Sequence, residues 1–493
     1  MRPYEAVLSL AGLVAFTVLA VPRLRGWRLA GCLLLLAPAA AVVQATVEGP
    51  RWPLIPMYVL AGLLPLTWWV GRAVRPGRFV VVLGTLVGAV ALAVSVALPV
   101  AAPVFRFRAP TGPYGIGTTT YHWVDASRPE LFTADPGDHR ELLAQVWYPA
   151  EKDVPGPHAP YIPDADAVTP VMAQLFRFPD FALTHFRYVT THAVEGAPVA
   201  RRPARYPVLV YLTGLNGFRA AGTFQIEELV SHGYVVVGLD QPGAVAAVRL
   251  PGGRLIPGRP RDEMQPLVTQ SVTPRPTAPT LHGQALPNGI IPYFAQDVSF
   301  ALDRLAGLDA DDPHRLLTRR LDLHRAGVFG ISLGGMNAAK ACLEDARLKA
   351  CLIMDVDLPA DVVGKGLRQP TMLITRDAGT MRLERERAGG WPEEDIARTR
   401  RTMRAVYDGL PGDGYYVEIP GMFHLNFTDA PLWSPLTPRL GMSGPIGGGR
   451  GFAIVDAYSV AFFDRHLAER PSALLTGASK PYPEVTMITR TRS

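Results

Sequence analysis

The stretch that decides the fold is Val328-Phe329-Gly330-Ile331-Ser332-Leu333-Gly334-Gly335-Met336. Its centre fits the pattern G-x-S-x-G, which is common by chance and informative only in context. Here an apolar run precedes the pattern and a helix-forming run follows it. A serine on such a strand–turn–helix projects from the edge of a sheet, and small neighbours are needed because the turn is tight. The stretch therefore predicts a nucleophilic Ser332, against the alternative of a glycine-rich turn with an incidental serine.

A serine hydroxyl becomes an effective nucleophile when a histidine takes its proton and a carboxylate orients that histidine. In a sheet of this kind the order along the chain is serine, acid, histidine. Of the eleven histidines, His424 alone lies on a loop after a late predicted strand, Tyr415–Ile419. His466 on the last predicted helix, and His314 and His324 before the serine, are interpreted as surface or packing residues. His424 is therefore the predicted base.

The acid has three candidates. Asp355 ends the strand that follows the helix after Ser332, and Asp377 ends the next strand, which is the commoner position in hydrolases of this type. Asp357 lies two residues beyond Asp355. The residues alone do not choose between Asp355 and Asp377.

An acyl-transfer site also needs backbone N–H groups that bind the oxyanion. Leu333, directly after the serine, is predicted to supply one. The second is expected after the third strand, in Tyr211-Leu212-Thr213-Gly214-Leu215-Asn216-Gly217, and Leu215 is the predicted donor. A plain glycine turn would explain that composition equally well.

Around the motif, short β-branched runs alternate with amphipathic stretches. This alternation predicts an α/β fold with a mostly parallel sheet and helices on both faces. The segment from about 105 to 140, which leads into this pattern, is predicted to be extended chain. The stretch Arg249–Pro292, rich in Pro and Gly, is predicted to be a long loop or lid. The predicted strands are Leu142–Tyr148, Val208–Thr213, Val235–Asp240, Ala326–Ile331, Ala350–Asp355, Thr371–Arg376 and Tyr415–Ile419. The predicted helices are Thr223–His232, Ala295–Gly307, Leu333–Asp345, Pro392–Asp408 and Phe452–Leu467.

The first 104 residues differ from the rest. They contain four apolar stretches, 6–21, 29–47, 53–70 and 79–104. About 20 apolar residues cross the hydrocarbon core, so residues 1–104 are predicted to be a transmembrane anchor and 105–493 one catalytic domain. A cleaved signal peptide is the alternative for the first stretch.

The charge distribution supports a membrane topology. Residues 1–104 carry a net charge of +6, all from arginine, whereas the remaining chain is balanced. Two arginine clusters lie between the first two and between the last two stretches. Such turns are typically cytoplasmic, so the catalytic domain is expected on the extracytoplasmic side of the cell membrane. Nucleic acid is not an expected partner, because the net positive charge is confined to the apolar N-terminal part. The clusters are Arg23, Arg25 and Arg28, and Arg72, Arg75 and Arg78.

The three cysteines fit neither a zinc site nor a disulfide framework. Cys32 lies in an apolar stretch. Cys342 and Cys351, on a predicted helix and a buried strand, are expected to be two free core thiols, although an oxidising compartment would allow them to pair. No metal site and no cofactor is expected.

Several further motifs resemble the plasma-type platelet-activating factor acetylhydrolase family of the α/β-hydrolase superfamily. The resemblance covers about residues 112–467 and leaves out the apolar N-terminal part. The motifs are Gly115-Ile116-Gly117-Thr118-Thr119-Thr120-Tyr121-His122-Trp123-Val124-Asp125, Arg140-Glu141-Leu142 through Val146-Trp147-Tyr148-Pro149, Ser231-His232-Gly233-Tyr234-Val235-Val236, Ala341-Cys342-Leu343-Glu344-Asp345 and His424-Leu425-Asn426-Phe427-Thr428-Asp429.

The resemblance implies a calcium-independent serine esterase that removes short or oxidised sn-2 acyl chains from phospholipids. It also implies Ser332 as nucleophile, His424 as base, Asp355 as acid, and Leu215 and Leu333 as oxyanion donors. Alternatives are a general carboxylesterase or polyester hydrolase, and a catalytically silent, membrane-tethered binding module.

The chain departs from the family pattern at three places near the site. Thr213-Gly214-Leu215-Asn216 replaces His-Gly-Leu-Gly, and Ile331 and Gln241 stand where the family often has histidine. No triad position is affected, so these departures concern the substrate more than the chemistry.

Overall fold

Two units make up the chain in the computed structural model, which describes residues 1–74, 77–477 and 481–491. The first unit comprises Met1–Phe105, Phe181–Val189 and Trp433–Leu436. The second comprises Arg106–Asp180, Thr190–Leu432 and Thr437–Ser493. Arg75, one of the arginines in the predicted turns, lies outside the described residues.

The first unit contains four long apolar helices. By length and composition each could cross a membrane, with the third span counted as Trp52–Ala73. Most of their side chains point outward and are apolar, which is the pattern of helices surrounded by lipid rather than water. The helices of this unit are α1 (Pro3–Ala20), the short α2 (Pro22–Arg25), α3 (Ala30–Val47), α4 (Ile55–Ala73) and α5 (Arg78–Ala101).

Polar contacts distinguish the two ends of this helix bundle. At one end Glu5 and Arg51 form a buried ion pair with an Nε–Oε1 distance of 2.6 Å. At the other end the indole N–H of Trp68 donates to the carbonyl of Arg25 at 3.3 Å, and the Arg72 guanidinium lies over the Trp68 ring. Arg25 and Arg72, one from each predicted arginine cluster, therefore lie at the same end of the bundle.

The second unit is built on an eleven-stranded sheet with the order β15-β14-β13-β12-β11-β5-β6-β2-β1-β4-β3. Strands β14, β13, β12, β11, β5 and β6 run parallel in that order, and β2 and β15 pair antiparallel at the two sides. The strands are β1 (Gly115–Pro129), β2 (His139–Ala150), β3 (His158–Pro160), β4 (Thr190–Glu195), β5 (Tyr206–Leu212), β6 (Val235–Asp240), β7 (Ala247–Arg249), β8 (Leu255–Pro257), β9 (Thr280–Leu281), β10 (Gln284–Ala285), β11 (Leu321–Ile331), β12 (Leu348–Met354), β13 (Thr371–Thr375), β14 (Gly414–Glu418) and β15 (Thr486–Arg490).

Helices cover this sheet, and every residue of β5 and β6 is buried, as in a sheet covered on both faces. The predicted α/β fold with a mostly parallel sheet, preceded by four apolar helices, is confirmed. The helices are α6 (Ala165–Leu175), α7 (Thr223–Ser231), α8 (Arg261–Val272), α9 (Ile291–Ala310), α10 (Leu333–Glu344), α11 (Ala360–Lys365), α12 (Ala378–Ala388), α13 (Glu393–Asp408), α14 (Ala430–Trp433) and α15 (Gly448–Leu467).

Two stretches contain more regular structure than predicted. The lead-in includes the fifteen-residue strand β1, whose Thr and aromatic residues pair along most of β2. The stretch 249–292 includes the twelve-residue helix α8 and residues of the hairpins β7–β8 and β9–β10. The prediction that 249–292 is a long loop was therefore wrong for the residues of this helix and these hairpins. Several of the Pro and Gly residues lie at the ends of elements, and α8 accommodates Pro266.

The prediction of two free core thiols was also wrong. Cys342 and Cys351 form a disulfide, with their Cα atoms 6.6 Å apart. The predicted positions were right, since Cys342 lies on α10 and Cys351 on β12. The short connection between these elements folds the helix back against the strand and brings the two buried side chains together.

Candidate active site

Ser332 occupies a strained turn between β11 and α10. Its backbone has φ 56° and ψ −127°, a region that residues with a side chain rarely adopt outside functional sites. The two glycines of the motif allow this turn. A Cβ on Gly330 would lie 2.4 Å from the carbonyl oxygen of Gly334, and one on Gly334 would lie 2.1 Å from that of Leu212. The side chain of Ser332 remains partly exposed.

The end of the neighbouring strand carries Asp355. β11 and β12 are parallel, and the N–H of Ser332 donates to the carbonyl of Met354 at 3.1 Å. Asp355, the next residue, is fully buried, and its Oδ2 atom lies 2.6 Å from Nδ1 of His424. His424 comes from the loop after β14, three strand positions from β11. The structure thus assembles an acid–histidine pair beside the serine turn from residues 69 positions apart.

The other candidate acids are engaged elsewhere. Asp377 caps the N-terminus of α12, where its carboxylate accepts from the N–H of Thr380 at 2.9 Å. Asp357 forms an ion pair with Arg398 at 2.7 Å. Among the contacts of the described residues, only Asp355 of these three touches His424.

The hydroxyl of Ser332 and the ring of His424 are not hydrogen-bonded to each other in the part of the chain that the structure describes. Both residues are partly open to solvent, and Nδ1 of His424 contacts Asp355, which leaves Nε2 outside that contact. Such contacts commonly tighten only when substrate is bound.

Of the predicted oxyanion donors, Leu333 follows Ser332 directly in the chain, and Leu215 follows Gly214, which lies against Ser332. Gly214, next to Leu215, approaches so closely that a Cβ there would be 3.1 Å from Cβ of Ser332. A tight turn fixes this loop, with the N–H of Gly217 donating to the carbonyl of Gly214 at 3.0 Å. Within the described residues, the N–H groups of Leu215 and Leu333 donate to no protein acceptor. Two backbone donors are therefore available next to Ser332.

A buried group that sequence reasoning missed lies behind His424. Nε of Arg376 is 2.8 Å from Oδ2 of Asp355, and Arg376 also forms an ion pair with Glu384 on α12. The Trp391 ring covers the guanidinium, 4.5 Å from Cζ, and meets the His424 ring edge-on at 5.1 Å. Arg376 directly precedes Asp377, a candidate acid in the sequence, but nothing in the local pattern indicates the partners of Arg376.

The charges of this group explain the ionisation of the acid. Burial alone would raise the pKa of Asp355, but the positive charge of Arg376 and the hydrogen bond to His424 hold that pKa well below its usual range. Asp355 is therefore an anion throughout the physiological range. Burial also raises the pKa of Glu384, against the opposing effect of Arg376.

No three His, Cys, Asp or Glu side chains are grouped as a metal site would require within residues 1–74, 77–477 and 481–491.

Comparisons with known proteins bear on the family, the fold and the class of activity. Residues 101–248 match the family model described as platelet-activating factor acetylhydrolase, isoform II. The resemblance predicted from the sequence is confirmed over this segment; the motifs quoted beyond residue 248 lie outside it. A search of curated proteins found no match.

Among solved structures, the chain is similar to a ferulic acid esterase from Streptomyces cinnamoneus, with a TM-score of 0.59 and 29% sequence identity. The similarity covers 78% of this chain and 100% of that chain. Together with the family match, it supports the conclusion that the chain is a hydrolase of the esterase type on an α/β-hydrolase fold.

Proposed function

We propose that this chain is a membrane-anchored serine esterase in which Ser332, His424 and Asp355 form a catalytic triad. Its proposed substrates are phospholipids with short or oxidised sn-2 acyl chains. The observation that carries the triad is the 2.6 Å contact between His424 and Asp355 at the strand end next to the strained Ser332.

The proposed reaction proceeds through an acyl-enzyme. Oγ of Ser332 attacks the ester carbonyl carbon while Nε2 of His424 takes the hydroxyl proton, and the N–H groups of Leu215 and Leu333 stabilise the oxyanion. Collapse of the tetrahedral intermediate breaks the bond to the leaving alcohol, which receives the proton from His424. Water then attacks the acyl-enzyme with His424 as base, which releases the carboxylic acid and restores Ser332.

Asp355 has a distinct part in this scheme. As a buried anion on Nδ1, it orients the imidazole and stabilises the imidazolium that forms in each half-reaction. Asp377 cannot take this part while it caps α12.

Two observations bear on the substrate. The match to the platelet-activating factor acetylhydrolase model and the apolar helices favour an ester that resides in a membrane. The similarity to a ferulic acid esterase favours a second candidate, a carboxylesterase acting on aromatic or other non-lipid esters. Gln241, where the family often has histidine, is buried, and its side-chain amide donates to Asp297 at 2.8 Å.

We place the catalytic domain on the extracytoplasmic side. The arginine-bearing turns at one end of the bundle are typical of the cytoplasmic side, and the Cys342–Cys351 disulfide is typical of an oxidising compartment. Glu394→Cys, at an exposed position, should react with a membrane-impermeant maleimide in intact cells, and Arg28→Cys should not. The reverse labelling pattern would contradict this topology.

The test of the function uses the full chain in detergent micelles, with Ser332→Ala as the matched variant. Without calcium, the wild type should release acetate from a phospholipid with an sn-2 acetyl group, and the variant should not. Hydrolysis of methyl ferulate without hydrolysis of the phospholipid would favour the second candidate. Hydrolysis of either ester at the same rate by Ser332→Ala would contradict the triad.

A further inference from the structure

The buried ion pair Arg376–Glu384 lies directly behind the acid–histidine pair. We infer that it is a positioning unit: Arg376 holds the Asp355 carboxylate against His424, and Glu384 cancels the charge of Arg376 so that Asp355 can still stabilise the imidazolium. This inference rests on the proposed function of Ser332, His424 and Asp355.

The first observation is that Arg376 and His424 share one acceptor. Oδ2 of Asp355 lies 2.6 Å from Nδ1 of His424 and 2.8 Å from Nε of Arg376, while Oδ1 accepts from the hydroxyl of Thr375 at 3.2 Å. The guanidinium meets Oδ2 off the hydrogen-bond axis, so the contact is an ion pair rather than an aligned hydrogen bond. Three neighbours therefore fix the carboxylate, two from the end of β13 and one from the loop after β14.

The second observation concerns charge. An anion beside the imidazole stabilises the imidazolium, but a fixed cation on the same carboxylate oxygen opposes that effect. Arg376 is fully buried, so solvent does not screen it. Glu384, which is also buried, forms an ion pair with Arg376. With one cation, Arg376, and two anions, Asp355 and Glu384, the cluster has a net negative charge when His424 is neutral.

The third observation is that Glu384 also holds the histidine loop. Its two carboxylate oxygens each lie 3.3 Å from the backbone N–H of His424. One side chain on α12 thus contacts both the cation behind the acid and the main chain of the base. Glu384→Gln would keep one oxygen acceptor for that N–H and would remove the negative charge.

Few other charges face this cluster. Among the described residues of this cluster, Arg400 contacts one atom, the carbonyl oxygen of Arg376, at 3.5 Å. The charge of Arg400 is paired with that of Glu418. Arg387 lies over the ring of Phe423, beside His424, at 5.9 Å. The charged or titratable side chains in contact with His424 or its acid within the described residues are Asp355 after β12, Arg376 after β13 and Glu384 on α12.

The test compares pH profiles of kcat/KM for p-nitrophenyl acetate, with the full chain in detergent micelles. In Glu384→Gln the positive charge of Arg376 is no longer compensated, so the imidazolium of His424 is destabilised. The midpoint of the acidic limb of the kcat/KM profile should therefore fall by about one pH unit. In the double variant Arg376→Met/Glu384→Gln the midpoint should return to that of the wild type, because both charges are gone. Its plateau should fall at least about tenfold, because Asp355 has lost a neighbour that fixes it.

The matched control is Glu393→Gln, which removes an exposed carboxylate paired with Arg382 and Arg385 outside the site. Its midpoint and plateau should equal those of the wild type. A purely structural role of Glu384 would lower the plateau of Glu384→Gln without moving its midpoint, and that result overturns the inference.

The remaining outcomes are also decisive. If the double variant does not fold, as judged by far-UV circular dichroism, the midpoint of Glu384→Gln decides alone. An inactive wild type that also fails to react with a fluorophosphonate would contradict the proposed function itself, and the inference with it. An active wild type with an unshifted Glu384→Gln contradicts the inference alone.

Discussion

The turn that carries Ser332 and the cluster that carries His424 are built in opposite ways. The residues that allow the turn lie within one short stretch: Gly330 and Gly334 lack the Cβ atoms that would collide with backbone carbonyls, and Ser332 between them has a strained φ. The cluster is assembled from the ends of three strands and one helix, so none of its contacts is encoded by neighbours in sequence. A nucleophile can therefore be predicted from a local sequence motif. The charged residues that support it, here Arg376 and Glu384, are brought to the site only by the tertiary fold.

The largest expected effect tests the cluster. Asp355→Asn should lower kcat by about 10⁴-fold, because the amide neither stabilises the imidazolium nor favours the required tautomer. Asp377→Asn is the matched control, since asparagine also caps helices well, and its kcat should stay within about threefold of the wild type. If only Asp377→Asn abolishes turnover, the acid has been assigned to the wrong strand end.

The next effect tests the turn. Gly334→Ala would place a Cβ 2.1 Å from the carbonyl oxygen of Leu212, so the backbone must shift, at a cost of about 3 kcal/mol or more. We expect a clearly lower midpoint of thermal inactivation. Gly364→Ala is the control, because a Cβ there meets no atom within 4 Å. Equal midpoints for the two variants would show that the turn is not packed as described.

A third effect tests the link between the two regions. The Cys342–Cys351 disulfide ties α10, which follows Ser332, to β12, which precedes Asp355. Opening a loop of this length should cost about 2.5 kcal/mol, so Cys342→Ala/Cys351→Ala should inactivate at a lower temperature than the wild type. The unreduced, denatured wild type should contain one free thiol, that of Cys32. Three free thiols in protein isolated from cells would contradict the disulfide.

The smallest effect concerns the helix that presents Glu384. Asp377→Ala removes the N-cap of α12 and should cost about 1 kcal/mol of stability. Because Asp377 does not touch His424, kcat at neutral pH should change little. A loss of activity that exceeds the loss of stability would mean that the cap also sets the position of Glu384.

Much of the architecture could be predicted from the sequence. Strand β6 and the N-terminus of α10 begin at the predicted residues, and the four apolar helices lie close to the predicted spans. Strong hydrophobic periodicity and long apolar runs explain this success. Strand β1 was missed because its Gly and Thr residues resemble a loop, although they pair with β2 over most of its length.

The site was only partly predictable, for a physical reason. From the residues alone, Asp355 and Asp377 are both aspartates at ends of parallel strands, and the resemblance favoured Asp355. What separates them in the structure is the path of the loop after β14 and the helix that Asp377 caps. Arg376 and Glu384 gave no signal at all, because their eight-residue spacing acquires meaning only when the fold places both against Asp355 and His424.

Locating the reactive nucleophile would test the proposed triad without reference to any substrate. The full chain in detergent micelles is treated with a fluorophosphonate, digested, and mapped by mass spectrometry, with His424→Ala as the comparison. We expect one phosphonylated residue, Ser332, and labelling that is much slower in His424→Ala. A label on any other residue, or equal labelling rates in the two proteins, would contradict the proposed triad.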